Sequence, residues 1–238
     1  MFKKLFRKIV ARFKAWRYGK KKVKPYTPAP DEPLPPLHPV DFKPAPVKVV
    51  GKKTIVDGEL LDIEIHSLEG FTQAEKKFFL ETLQLFLYVA ESQEFKHAFL
   101  NKQWKETRGY SNYALYNMWI GGYDSVERVT DFVFDMAYKI YGDGYSTNGT
   151  IGWTYLKDLK IRTDRYFLRK WMKQGAAGRA RFAGHICHEQ AHSLSDYGMV
   201  HNVHDGSFVY EIGDLMTDIA YQVAVKGKKL VKIKNPRK

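Results

Sequence analysis

Residues 188–192, His188-Glu189-Gln190-Ala191-His192, decide how the rest of the chain is read. On a helix, residues four apart lie one above the other, so His188 and His192 offer two imidazoles to a single cation. Zn2+ takes imidazole nitrogen at about 2.0–2.1 Å, and a catalytic site keeps one position open for water. Zinc lowers the pKa of such a water to about 7, which makes hydroxide available at neutral pH. Glu189 projects beside the same face, where a carboxylate takes a proton from that water and passes it to a leaving amine. The pattern requires a helix, and its flanks supply one. Phe182, Ile186 and Leu194 give an apolar side, and Gly184 is the only Gly or Pro between Arg179 and Leu194. Small Ala183 and Gly184 suit close approach of a second helix.

Two histidines need a third ligand, and three residues compete for the place. Gly198-Met199-Val200-His201 places a glycine where the chain must reverse after the helix, which returns His201 toward the metal. His204 follows three residues later, and Glu211 lies nineteen residues after His192. The reading favours His201 slightly over His204, with Glu211 third. His185, one turn before His188, reads as a packed or solvent-facing histidine. Cys187 reads as a buried small hydrophobe that points off the metal face. As the chain's single cysteine, it also excludes an intrachain disulfide and fits a reducing compartment.

Working outward, the body reads as helices around a small mixed sheet. Thr54 to His66 alternates as a strand or hairpin. Thr72-Gln73-Ala74-Glu75 is a capping box that opens a helix to about Ala90. Ser92 caps a second helix with Phe95, Phe99 and Trp104 inward, and Tyr110 to Ile120 forms a third. Strands are expected over Phe132–Tyr141, Ile151–Tyr155 and Leu159–Thr163. Gly175 to Gly178 is expected to break the chain before a helix from Arg179 to Leu194. A last helix runs from Phe208 to Val225. The fold class is α+β, with a domain over residues 47–225.

The ends differ in kind from the body. The chain carries a formal net charge of +13. Residues 1–24 hold eleven Lys/Arg and no acid, and the 226–238 tail holds seven and no acid, so residues 25–225 carry −5. Basicity therefore belongs to the tails. Within 2–17, Phe2, Leu5, Phe6, Ile9, Val10, Phe13 and Trp16 recur at helical steps against Lys and Arg. That pattern is a basic amphipathic helix suited to an anionic membrane surface, with nucleic acid as the other partner the two tails would fit. Residues 25–46 hold nine of the ten prolines and read as an extended spacer. No apolar run is long enough to span a membrane, and the N-terminus lacks the apolar region and cleavage site of a signal peptide. A cytoplasmic or membrane-surface location is expected.

Across residues 150–216 the chain resembles the zincin metallopeptidases. Leu159-Lys160-Ile161-Arg162-Thr163-Asp164 resembles the zincin strand that borders the cleft and binds extended peptide by strand addition. Ser207-Phe208-Val209-Tyr210-Glu211-Ile212-Gly213 is similar to an S-V-P-Y-x-I-G segment of small metallopeptidase-like proteins of phages and bacteria. By that resemblance Tyr210 faces the site and donates to the oxyanion. His204-Asp205-Gly206-Ser207-Phe208 has the H-x-x-x-F form of SprT-like proteases, which favours His204 as the ligand. The extended motif of the metzincin subgroup would place Gly at 195 and His at 198, where this chain has Ser195 and Gly198.

The resemblance implies a zincin-like domain acting as a zinc-dependent peptide or amide-bond hydrolase on a polypeptide substrate. His188, His192 and one of His201 and His204 would hold Zn2+, and Glu189 would be the base. Two alternatives stand beside it. One is a non-catalytic phage, virion or membrane-associated protein with the same fold. The other is a nucleic-acid-associated SprT-like protease.

Overall fold

The chain divides into two units, residues 1–37 and 38–238. A computed structural model describes residues 45–124, 126, 128–145, 149–154, 159–194, 199 and 207–233, all in the second unit. The amphipathic segment 2–17 and most of the proline-rich spacer lie outside the described residues.

Six strands and six helices alternate along the described chain. They are β1 (Val47–Val50), β2 (Lys53–Val56), β3 (Asp62–Glu69), α1 (Gln73–Ala90), α2 (Gln93–Asn101), α3 (Asn112–Ile120), β4 (Val133–Tyr141), β5 (Gly152–Thr154), β6 (Lys160–Asp164), α4 (Arg165–Lys173), α5 (Gly175–Ala191) and α6 (Phe208–Ala224). The strands form one mixed sheet in the order β1-β2-β3-β4-β6-β5. Pairing is antiparallel from β1 to β3, parallel for β3–β4 and β4–β6, and antiparallel for β5–β6. The parallel β3–β4 step needs a long crossover, and α1–α3 provide it. This is an α+β fold in which three strands precede the first helix, with β2 and β3 in the region around Thr54–His66 expected to form a strand or hairpin.

Alternation along the strands sorts the two faces of the sheet. Ile63, Ile65, Phe134, Met136, Tyr138, Ile140, Ile161 and Thr163 are buried, while Glu64, His66, Lys139 and Arg162 fall on the other face. The helices cover the buried face. Phe79 of α1 and Phe182 of α5 both meet the ring of Tyr138, at 4.6 and 6.1 Å between centroids. A second cluster joins Phe86, Phe95, Trp119 and Phe134. Each fully buried Phe contributes roughly 1.5–3 kcal/mol by leaving water.

The helix starts follow local chemistry. Thr72 and Glu75 close the capping box expected at α1, and Ser92 and Ser111 cap α2 and α3. Helix α4 was not anticipated. Its N-cap is Asp164, the last residue of β6, so no turn residue separates strand from helix. The expected glycine break is shorter than 175–178. It falls at Gln174–Gly175, where Gly175 takes a left-handed φ of 58°, and Gly178 already lies inside α5. Helix α5 ends at Ala191 rather than Leu194.

Residues 230–233 are not a detached tail. Leu230 is fully buried, Lys232 bridges to Ser92, and the Ile233 N–H donates to Glu91 O. The folded chain thus extends beyond the boundary at 225.

Candidate functional site

Helix α5 carries the His188–His192 motif, packed between the sheet and α6. Two glycines let α5 and α6 cross closely. A methyl on Gly184 would sit on Thr217 Oγ1 and 2.6 Å from the Gly213 carbonyl oxygen. One on Gly213 would lie 2.9 Å from Gly184 O and 3.1 Å from His188 Cβ. That crossing brings the first turn of α6 against His188.

His192 follows the last residue of α5 but keeps helical dihedrals (φ −63°, ψ −27°), so the four-residue stacking survives the helix end. The two rings stand 5.1 Å apart and nearly perpendicular. His188 Nδ1 lies 3.0 Å from Val209 O, in the first turn of α6. His192 Nδ1 lies 2.7 Å from Met199 O, and Met199 N donates back to His192 O at 3.0 Å. A carbonyl only accepts, so each Nδ1 carries its proton. In a neutral ring Nε2 is then the nitrogen with a lone pair to offer. Histidines that ligate metals are oriented in this way by their other nitrogen. The donor chemistry of the pair therefore fits a divalent cation such as Zn2+.

Glu189 is 3% exposed. Thr154 Oγ1, on β5, donates to Glu189 Oε2 at 3.0 Å, and His185 Nδ1 stands 3.7 Å from Oε1. Burial pushes the Glu189 carboxyl up to about 7, against a smaller lowering by the Thr154 hydrogen bond. A carboxylate with a pKa near the working pH is suited to general base chemistry. Burial drives His185 the other way, down to about 3, so it is neutral and its contact with Glu189 is not an ion pair.

Tyr210 stands with its ring 4.6 Å from His188. Its phenol is raised above the ordinary range, first by burial and then by the Glu189 charge. Glu211, the third candidate ligand, forms an ion pair with Lys102 through Oε2. His201 and His204 lie outside the described residues. Cys187 is buried with its sulfur 3.7 Å from Ile212 O, the small-hydrophobe role expected of it.

The strand resembling a cleft border, Leu159–Asp164, does not occupy the edge. As β6 it is paired on both sides, with β4 and β5, so it has no ladder to offer a peptide. Among the described residues the strand ending this side of the sheet is β5, and β5 carries Thr154. The sequence reading missed Thr154, which is thirty-five residues from Glu189 and reaches it only through the sheet. It also missed that His185 stands near Glu189, although the four-residue step between them is legible on the helix. Among the described residues, the one group of three potential metal ligands whose ligand atoms all lie within 4.8 Å of one another is elsewhere, at Glu64, His66 and Asp135. It sits on the face of the sheet away from α5, where Lys53 pairs with Glu64 and His66 with Asp135.

Compared with protein-family models, with curated proteins and with solved structures, the chain matches none.

Proposed function

We propose that the chain is a zinc-dependent hydrolase of peptide or amide bonds, built on a zincin-like arrangement. One observation carries the reading: His188 and His192, one helical turn apart, both spend Nδ1 on a backbone carbonyl, which leaves Nε2 as the nitrogen with the lone pair in each ring, with the buried Glu189 next to His188 in the chain. His188 and His192 would hold the metal, with a further ligand from His201 or His204. When bound, zinc supplies a Lewis acid and an acidified water at neutral pH.

The chain's own groups supply the rest. Glu189 accepts a proton at its carboxylate and returns it to the leaving nitrogen. Tyr210, against His188, would donate its phenol proton to developing negative charge on the carbonyl oxygen. The outer ladder of β5 suits an extended polypeptide, which would run beside Thr154. The sequence pattern of residues 2–17 adds a tether to anionic membrane, or to nucleic acid together with the 226–238 tail. No helix among the described residues is long and apolar enough to cross a membrane.

The test is Glu189→Gln. Zinc measured by elemental analysis should stay at the wild-type level, and chelator-sensitive cleavage of a peptide library should fall about 10²–10⁴-fold. Full activity in that variant, or no zinc in the wild-type protein, would overturn the reading. Bound zinc without cleavage would leave the non-catalytic alternative.

A further inference from the structure

Glu189 is flanked by two polar groups that the hydrolytic scheme does not consume, and both are anchored in the sheet. On one side is Thr154, donating to Oε2 at 3.0 Å. Gly152, two residues earlier on β5, makes that reach possible. A methyl there would lie 2.7 Å from His185 Cε1 and on the carbonyl oxygen of Arg162. Any side chain at 152 would push β5 off α5.

On the other side is His185, at the end of a buried chain of hydroxyls. Tyr138 OH meets Thr163 Oγ1 at 2.6 Å, and Thr163 Oγ1 meets His185 Nε2 at 2.9 Å. The direction of this chain follows from counting protons. Tyr138 is fully buried, and among the described residues Thr163 Oγ1 is the hydrogen-bond partner of its phenol, so satisfying the phenol proton makes Thr163 the acceptor. Thr163 therefore accepts from Tyr138 and gives its own proton to His185 Nε2. His185 is neutral in its buried setting, so its one proton rests on Nδ1, the nitrogen that faces Glu189 Oε1 at 3.7 Å. That distance is too long for a hydrogen bond. It is a dipole directed at a carboxylate where little water screens it.

We propose that Thr154 and His185 are positioning residues that hold the Glu189 carboxylate, Thr154 at Oε2 and Nδ1-protonated His185 at Oε1. The inference rests on the reading of Glu189 as the base. It also gives β5 two roles: the strand that would seat the peptide is the strand that aims the base.

Four variants test it. In wild-type protein, nitrogen-15 NMR of the imidazoles should show His185 as the Nδ1–H tautomer, and Thr163→Val should release that preference. The infrared carboxyl band of Glu189, isolated by subtraction of the Glu189→Gln spectrum, should shift in Thr154→Val and return in Thr154→Ser. Thr154→Val should lower kcat about tenfold, the equivalent of one hydrogen bond, with KM and zinc content unchanged. An Nε2–H tautomer at His185, or a Thr154→Val protein with the wild-type band, overturns the proposal. If wild-type protein cleaves nothing, the hydrolase reading fails, and the two spectra still decide the positioning claim by the same outcomes.

Discussion

Gly184 and Gly213 face each other where α5 crosses α6, each so close that a methyl on it would strike the carbonyl oxygen of the other. The contact does more than pack two helices. It sets the distance from His188 to Val209 O, and so the tautomer of the first proposed ligand. Gly184→Ala must push α6 outward. We expect a loss of about 1–3 kcal/mol in stability from overpacking, read as a lower urea midpoint. Zinc affinity should weaken as well, because the hydrogen bond that orients His188 stretches. Unchanged stability and zinc affinity would show that α6 is free to adjust.

Zinc should stabilise the protein by mass action. With free zinc at about one hundred times its dissociation constant the gain is about 2.7 kcal/mol. A chelator should lower the melting temperature of wild-type protein and leave His188→Ala, His192→Ala or the double variant unmoved. An equal chelator effect on all of them would place the metal elsewhere. Glu64, His66 and Asp135 would then be the first residues to mutate.

Metal-free protein should show two opposed pH effects. His185 titrates at about 3 when folded against an ordinary 6.5. Between those values the unfolded chain holds a proton that the native state lacks, so this group's contribution to stability is lost as pH falls. Glu189 titrates at about 7 against an ordinary 4.5. Across that window the native state holds the extra proton, so this contribution is lost as pH rises. Each slope is about 1.4 kcal/mol per pH unit, and between pH 4.5 and 6.5 they offset. Removing one should expose the other. Denaturant melts of metal-free Glu189→Gln should gain stability with rising pH over that range, and His185→Gln should lose it. Parallel profiles for both variants would contradict the assigned protonation states.

Glu91 should matter far from the site. Its buried carboxylate accepts from Leu60 N at 2.7 Å and Leu61 N at 3.1 Å through one oxygen, and pairs with Lys232 at 2.7 Å through the other. It ties the β2–β3 turn and the C-terminal segment to the end of α1. Glu91→Ala strands two buried N–H groups and should cost about 2–3 kcal/mol. Lys232→Ala removes only a partly exposed partner and should cost less. Chemical denaturation of the two variants provides the comparison.

The basic end should act independently of the site. Removing residues 1–24 should abolish salt-sensitive sedimentation with vesicles rich in anionic lipid while leaving zinc content unchanged. Salt-sensitive binding to DNA, lost only when residues 226–238 are also removed, would favour the nucleic-acid partner.

By itself the sequence determined that His188 and His192 share one helix face, with Glu189 beside it, because the helical repeat brings residues four apart together whatever else the chain does. It equally determined the Thr72 and Ser92 caps, whose hydrogen bonds reach only three residues. Tertiary structure alone decided which strand lies at the edge, because a ladder's partners are set by pairing and not by alternation. So β6, which reads as a cleft border, is interior, and the short β5 takes its place. Tertiary structure likewise brought Thr154, Thr163 and Tyr138 to the helix, across sequence separations that no local pattern spans. It also hid α4, whose cap is a residue of the preceding strand.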